Sequence, residues 1–225
     1  MWLNEQQTSD VAIRSYRQTL RHASVRHVVI DDLFADDLLQ QVWTILQQEG
    51  QWQTQQHTYQ ALYVDTATWQ STPNPERFVQ RQFWQRGVSS TNVAEQFLQF
   101  LRSPSFMALL SRIFSVQLTD ESVAEPLSNT NYFRLGHQDF VRLHADDSPG
   151  REVCMLLYLN QNWQPNFGGE LVFQGCQDEP IQISPRYNRC VLFDPCAPGS
   201  EHWVNAVTSA QPRHRLNVTS WYWSR

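Results

Sequence analysis

The stretch EVCMLLYL, Glu152–Leu159, is an apolar run of strand length with turn residues on both sides. It follows Ser148-Pro149-Gly150 and ends at Asn160. Seven further short runs are apolar or alternating, and Gly, Pro, Asn and Asp separate them: Asn131–Leu135, Phe140–His144, Glu170–Phe173, Ile181–Ile183, Cys190–Phe193, His202–Val207 and Leu216–Trp223. Eight short strands at this spacing predict a mainly β fold, a double-sheet jelly roll or cupin-like barrel.

The chain before residue 117 has a different pattern. It predicts one helix in the first 25 residues, a buried strand at Val28–Ile30, and a helix from Asp36 that Gly50 stops. Residues 51–91 predict extended segments with a long loop around residues 72–75, and two more helices are expected at 92–101 and 104–114. These helices would cover one face of the sheet. We therefore expect a single domain over residues 1–225, with 1–116 supporting a core of 117–225.

Composition excludes several classes of function. The chain has 17 basic and 22 acidic side chains, a formal net charge of -5, and its basic residues are all arginine. It offers no broad cationic face for nucleic acid or for a membrane surface, and no lysine for a Schiff base. The longest apolar run is too short to span a bilayer, and the four cysteines show no CxxC spacing. We expect a soluble cytoplasmic protein with reduced thiols.

A possible metal site lies at His144-Ala145-Asp146. Side chains two apart on a strand share a face, so the imidazole and the carboxylate would point the same way. The triplet alone also fits a surface histidine in a turn. With a third ligand it would form the 2-His-1-carboxylate triad that holds Fe(II), and His202, after the turn at Pro198-Gly199-Ser200, is the best candidate.

The last strand adds a buried cation. By two-residue alternation Arg215, Asn217, Thr219 and Trp221 share one face, which places a guanidinium inside an otherwise apolar barrel. Burying an arginine without an anion is costly. The strand therefore predicts a carboxylate partner for Arg215.

Together these motifs resemble the iron(II)- and 2-oxoglutarate-dependent dioxygenases, in particular their prolyl 4-hydroxylase-like branch. The resemblance runs from Tyr132 to Trp223, and its parts occur in the family's order. They are Tyr132–Gly136, His144-Ala145-Asp146, Arg151, Tyr158-Leu159-Asn160, Trp163, Gly168–Leu171, His202, and Arg215 with Thr219 and Trp221.

The resemblance implies a role for each matching residue. His144, Asp146 and His202 would be the iron ligands, with no catalytic side chain beyond the metal centre. Arg215, Tyr158 and Thr219 would bind the far carboxylate of 2-oxoglutarate, and Arg151 and Trp221 would touch the substrate. Arg213 shares the parity of Arg215 and is a rival anchor, because the gap after His202 is longer than in prolyl hydroxylases; Ser209–Pro212 would absorb the extra length as a hairpin extension.

The resemblance implies hydroxylation of an aliphatic C–H, with succinate and CO₂ as co-products. The cofactors would be Fe(II), 2-oxoglutarate and O₂, and ascorbate stays open as an accessory. The expected substrate is a prolyl or other amino-acid residue, peptidyl or free, so the partner is a small molecule, peptide or protein, with no nucleic acid and no membrane. Two alternatives are a cupin-like metal-dependent hydrolase or isomerase and a non-catalytic metal-binding sensing module. The region before Tyr132 matches no known pattern, and substrate specificity is expected there.

Overall fold

The computed structural model describes residues 1–87, 92–121, 123, 125–177, 179–208 and 214–224. Its strands are β1 (His27–Asp31), β2 (Trp52–Thr58), β3 (Arg77–Trp84), β4 (Thr130–Leu135), β5 (Phe140–His144), β6 (Arg151–Tyr158), β7 (Leu171–Phe173), β8 (Ile181–Ile183), β9 (Arg189–Phe193), β10 (His202–Val204) and β11 (Arg215–Trp223). Its α-helices are α1 (Glu5–Thr8), α2 (Asp10–His22), α3 (Asp36–Leu46), α4 (Thr66–Ser71), α5 (Val93–Leu101) and α6 (Pro104–Phe114). The eight strands predicted after residue 117 are confirmed.

The strands of the described residues form one antiparallel sheet in the order β1-β9-β6-β11-β4-β3-β5-β10-β7-β8, and β2 pairs along one edge of β3. The other edge of β3 is divided between two partners. Its Gln82 and Phe83 pair with β4, whereas Val79 and Gln80 pair with β5. β3 therefore joins a larger section (β1, β9, β6, β11 and β4) to a smaller section (β5, β10, β7 and β8).

The two sections fold over one another around an internal chamber. Leu156 and Arg215 line it from the larger section, and His144 and His202 line it from the smaller section. The predicted jelly-roll class is thus confirmed. β3 comes from the half of the chain expected only to support the barrel, yet it is an integral strand of the sheet. The division at residues 116 and 117 stays a prediction.

The helices cover the outer face of the larger section. Along β6, Val153, Met155 and Leu157 pack into the core that the strands share with α2, α3, α5 and α6. The alternate residues Cys154 and Leu156 face the inner core instead. A strand buried on both faces needs apolar residues at every position, which explains the unbroken apolar run of the sequence. None of the helices in the described part of the chain is long and apolar enough to cross a bilayer.

The N-terminal half differs from the prediction in three places. The expected first helix is split at Ser9, whose extended backbone breaks α1 while its hydroxyl caps α2 by accepting the Ala12 N–H. α3 ends at Leu46, before Gly50, because the indole N–H of Trp52 donates to the Leu46 carbonyl oxygen at 3.1 Å. Finally, residues 51–91 contain α4, which Asp65 caps by accepting the Thr68 N–H at 2.7 Å.

Asn188 attaches the N-terminal segment to the barrel. Its backbone is left-handed, with φ of 52°, a conformation that asparagine tolerates better than most residues. Its side chain accepts the Phe34 N–H at 3.3 Å and donates to the Phe34 carbonyl oxygen at 2.9 Å. Both residues are buried, so no water replaces these bonds if the amide is lost.

We expect Asn188→Ala to lower the free energy of unfolding by about 2–4 kcal/mol, since two buried backbone groups lose their partners and the left-handed backbone is strained. Asn162→Ala is the matched control, because Asn162 also has a positive φ of 53° but is exposed. It should cost about 1 kcal/mol. Urea unfolding of both variants checks this, and equal losses would contradict the anchoring role of Asn188.

Candidate metal centre and adjoining groove

Three potential metal ligands converge at one end of the chamber. One ligand atom each from His144, Asp146 and His202 lies within 4.8 Å of the others, and no other such group occurs among the described residues. His144 is directly opposite His202 in the pairing of β5 with β10. Asp146 lies just past the end of β5, where its carboxylate oxygens are 3.7 Å from His144 Nε2 and 3.8 Å from His202 Nε2. This is the donor set of a facial triad.

Backbone carbonyls set the tautomer of both histidines. Nδ1 of His144 is 2.9 Å from the Arg142 carbonyl oxygen, and Nδ1 of His202 is 2.9 Å from the Ser200 carbonyl oxygen. A carbonyl oxygen can only accept, so each Nδ1 carries the proton and donates it. The Nε2 lone pairs are left free, and they point toward Asp146. Metal-binding histidines in proteins are typically oriented in this way.

The protonation states also suit a metal. Burial, together with the neighbouring His144, lowers the pKa of His202 to about 4, so its imidazole is neutral at pH 7. Burial raises the pKa of Asp146, but the two imidazoles, the indole of Trp221 and the charge of Arg151 outweigh it, and the pKa stays below its usual value. The site therefore offers a carboxylate and, at His202, a neutral imidazole.

Trp221 and Cys154 fix the carboxylate of Asp146. The Trp221 indole N–H donates to Asp146 Oδ2 at 2.9 Å, and the Cys154 thiol is 3.5 Å from the same oxygen. Both groups come from neighbouring strands, since Trp221 on β11 is the pairing partner of Cys154 on β6. They hold one carboxylate oxygen and leave the other toward His144.

The opposite end of the chamber holds a buried cation. Arg215 is 1% exposed, its Nε donates to the Gly169 carbonyl oxygen at 2.6 Å, and its Nη1 donates to Asn217 Oδ1 at 2.7 Å. Its Nη2 and the hydroxyl of Tyr158 are buried and lack a hydrogen-bond partner, and the guanidinium carbon is 4.9 Å from the centre of the Tyr158 ring. Two unpaired donors beside each other fit the two oxygens of a carboxylate.

Gly169 makes room for this arginine. Its φ is +76°, and a Cβ at this position would lie 3.0 Å from Arg215 Cδ. Gly168 and Gly169 both have positive φ, a conformation that glycine adopts without steric cost. Thr219 extends the polar row of β11, since its hydroxyl accepts the Asn217 amide N–H at 2.9 Å. The rival anchor Arg213 and the Ser209–Pro212 extension lie outside the described residues.

A groove of about 510 Å³ adjoins the chamber. It is built mainly from β2, β3 and β4, and it shares Arg81, Val141, His144 and Trp221 with the chamber. The Phe78 ring lies edge-on to the His144 ring with centroids 5.3 Å apart, and Tyr59 stacks on Phe78 at 5.2 Å. Aromatic rings therefore continue from the candidate metal ligand toward the surface.

The comparison with known families agrees with this geometry. Residues 127–223 match the model of the 2OG-Fe(II) oxygenase superfamily, and the match contains His144, Asp146, His202 and Arg215. This part of the chain is a 2OG-Fe(II) oxygenase domain. The resemblance predicted from sequence is confirmed, and the family implies Fe(II), 2-oxoglutarate and O₂ as the cofactors of the domain.

Relatives of the oxygenase domain carry prolyl hydroxylase names. The chain is 28% identical over 132 residues to the prolyl 3-hydroxylase OGFOD1 of Mus musculus, a match that covers 56% of this chain and 23% of the mouse protein. A Pseudomonas putida prolyl-4-hydroxylase aligns over 95% of this chain and 99% of its own, with a TM-score of 0.63 and 16% identity. A Trichoplax adhaerens prolyl hydroxylase, in complex with a hypoxia inducible factor peptide fragment, aligns over 98% and 92%, with a TM-score of 0.68 and 19% identity. At these identities the solved structures establish the shared double-stranded β-helix fold.

The oxygenase domain places most of the predicted site residues around the chamber, but Arg151 lies behind Asp146. Its guanidinium donates to the Asp146 carbonyl oxygen and lies 5.5 Å from the Trp221 ring centre and 5.0 Å from that of Trp223. Substrate contact by Arg151 stays a prediction. Sequence reasoning missed Arg81, which lines both chamber and groove. The alternation Val79, Arg81, Phe83 along β3 was the signal for it.

We expect Trp221→Phe to weaken divalent metal binding about 10–100-fold, the usual effect of losing a donor that orients a ligand. Anaerobic Co(II) titration measures the affinity. Trp203→Phe is the matched control, because the Trp203 indole donates to Asn205 Oδ1 on the strand that carries His202 and contacts no candidate ligand. Equal affinities for the two variants would show that the indole does not position Asp146.

Proposed function

We propose that this protein is an Fe(II)- and 2-oxoglutarate-dependent dioxygenase that hydroxylates an aliphatic C–H of a prolyl or other amino-acid residue, peptidyl or free. Succinate and CO₂ are the co-products. The observation that carries the proposal is one chamber with three potential metal ligands at one end and Arg215 at the other, where Arg215 Nη2 and the adjacent Tyr158 hydroxyl are both unpaired.

The residues fit both implied groups. His144, Asp146 and His202 would hold the iron through two Nε2 atoms and a carboxylate oxygen. Arg215 and Tyr158 would bind the far carboxylate of 2-oxoglutarate, with Thr219 as a further hydroxyl contact. When bound, iron with its cosubstrate and O₂ supplies the oxidising power for C–H hydroxylation.

The chain's own residues then position and protect the reaction. The Nδ1–H bonds of His144 and His202 to backbone carbonyls hold the rings in place, and Trp221 holds the carboxylate. Leu156 and Leu171 are buried chamber-lining residues that keep bulk water out. A cupin-like hydrolase or isomerase would share the metal ligands, but it would have no use for the buried donors of Arg215 and Tyr158.

Three finer assignments belong to the proposal, and each has its own support. A prolyl substrate is supported by the names of the mouse, Pseudomonas and Trichoplax relatives. A single catalytic domain over residues 1–225 is supported by β3, which comes from the N-terminal half of the chain and pairs with both β4 and β5. A cytoplasmic location is supported by the four cysteines, which are all unpaired.

The test is a succinate-release screen with proline, other free amino acids and proline-containing peptides, followed by mass spectrometry for a gain of one oxygen.

His144→Ala should abolish succinate formation, because one imidazole ligand is lost. Arg215→Ala should raise the KM for 2-oxoglutarate at least about tenfold, the cost of losing a charge-assisted pair, and Arg213→Ala should change it little. Full turnover by His144→Ala would refute the proposed metal centre, and the reverse ranking of the arginines would move the anchor to Arg213.

A further inference from the structure

A second arginine, Arg81, faces the chamber from the groove side. It is located on β3, directly opposite Gln55 of β2, and its neighbour on the same face, Phe83, pairs with Phe133 of β4. Like His144 and Trp221, it lines both the groove and the chamber. A molecule in the groove would thus meet Arg81 on its way to the metal ligands.

Neutral groups hold the Arg81 side chain in place. Its Nε donates to Gln55 Oε1 at 2.6 Å, and its guanidinium carbon lies 3.6 Å from the centre of the Phe133 ring. These contacts fix the plane of the guanidinium and leave the Nη1 and Nη2 edge available. No carboxylate of the described residues lies within 4 Å of its nitrogen atoms.

The groove does not neutralise this cation. Arg81 is the sole lysine, arginine, aspartate or glutamate among the described residues that line it. His57 lies two residues from Gln55 on the same face of β2, and its Nδ1 accepts the Tyr63 N–H at 2.9 Å, so its ring proton is on Nε2. Burial, and then the charge of Arg81, lower the pKa of His57 to about 4. His57 is therefore a neutral neighbour.

The charged residues that line the chamber do not balance. Arg81 and Arg215 outnumber Asp146 among the charged residues that line it, which leaves one excess positive charge. The proposed ferrous ion and the 2-oxoglutarate dianion cancel each other, so the excess persists in the loaded enzyme. Arg81 is half-buried where it opens onto the groove, so an anion in the groove would pair with this excess charge.

We propose that Arg81 binds a carboxylate of the substrate, so that the enzyme acts on carboxylate-bearing molecules. The carboxylate is either the α-carboxylate of a free amino acid or an acidic side chain beside the oxidised residue. This inference rests on the proposed function and names its substrate class. The far carboxylate of 2-oxoglutarate is left to Arg215, since the unpaired Arg215 Nη2 and Tyr158 hydroxyl match it while Arg81 opens onto the groove.

The experiment uses the full chain saturated with Zn(II) and 2-oxoglutarate, with acetate as the anionic probe and acetamide as its neutral isostere. NMR titration at constant ionic strength gives the dissociation constants. Acetate should bind at least tenfold more weakly to Arg81→Gln than to the wild type, and Arg81→Lys should restore most of the affinity. The charge control is Arg21→Gln, in the exposed last turn of α2, which should bind acetate like the wild type.

The experiment distinguishes failure of the proposed function from failure of the proposed role of Arg81. A wild-type protein that does not bind 2-oxoglutarate refutes the proposed function itself. Normal binding of 2-oxoglutarate with equal acetate affinities in wild type and Arg81→Gln overturns only the role of Arg81. A tenfold loss of 2-oxoglutarate affinity in Arg81→Gln also overturns it, because the residue would then belong to the cosubstrate.

Succinate release separates the two sources of the carboxylate. L-Proline is compared with L-prolinamide, and the blocked dipeptide acetyl-Pro-Asp-amide with acetyl-Pro-Asn-amide. Stimulation by free proline alone supports an α-carboxylate, and stimulation by the aspartyl peptide alone supports an acidic side chain. Equal stimulation by an acid and its neutral analogue contradicts the inference. If none of the four stimulates, the acetate comparison decides.

Discussion

The antiparallel pairing of β5 with β10 is the constraint on which the candidate site depends. It sets His144 directly opposite His202, with ring centres 4.3 Å apart. β5 ends at His144, and the carboxylate of Asp146, two residues further along the chain, faces both imidazoles. The rings of Phe173 and Phe193 pack against His202 at 5.9 and 5.2 Å and limit its movement. A slip of one residue in this pairing would turn one imidazole out of the chamber.

The larger section of the sheet forms the other side of the chamber. Its strands carry different kinds of residue on the face toward the helices and on the face toward the chamber. On β11, Leu216, Val218 and Tyr222 pack outward under the helices, and the intervening Arg215, Asn217 and Thr219 point inward. The helices thus stabilise the fold without entering the site. The inner row can then be polar, because the hydrogen bonds among Arg215, Asn217 and Thr219 satisfy most of its groups.

Sequence patterns over a few residues predicted those features of the fold and site that depend only on residues close together in the chain. The shared face of His144 and Asp146 and that of Arg215 and Thr219 follow from two-residue alternation. The strand bounds follow from apolar or alternating runs that end at turn residues. The same alternation along β3 marks the face on which Arg81 lies, but it does not say which strands lie beside that face. The place of Arg81 in the chamber depends on the pairing of β3 with β4 and β5, across about fifty residues of sequence, which no local pattern reveals. The early end of α3 likewise depends on a side-chain contact from Trp52.

The central claim is that one ferrous ion and one 2-oxoglutarate share this chamber. Anaerobic addition of both to the protein, followed by visible absorption spectroscopy, tests it most directly. We predict a metal-to-ligand charge-transfer band that saturates at one equivalent of Fe(II) per chain and is absent from Asp146→Ala. Iron binding without a band at saturating 2-oxoglutarate would contradict the account.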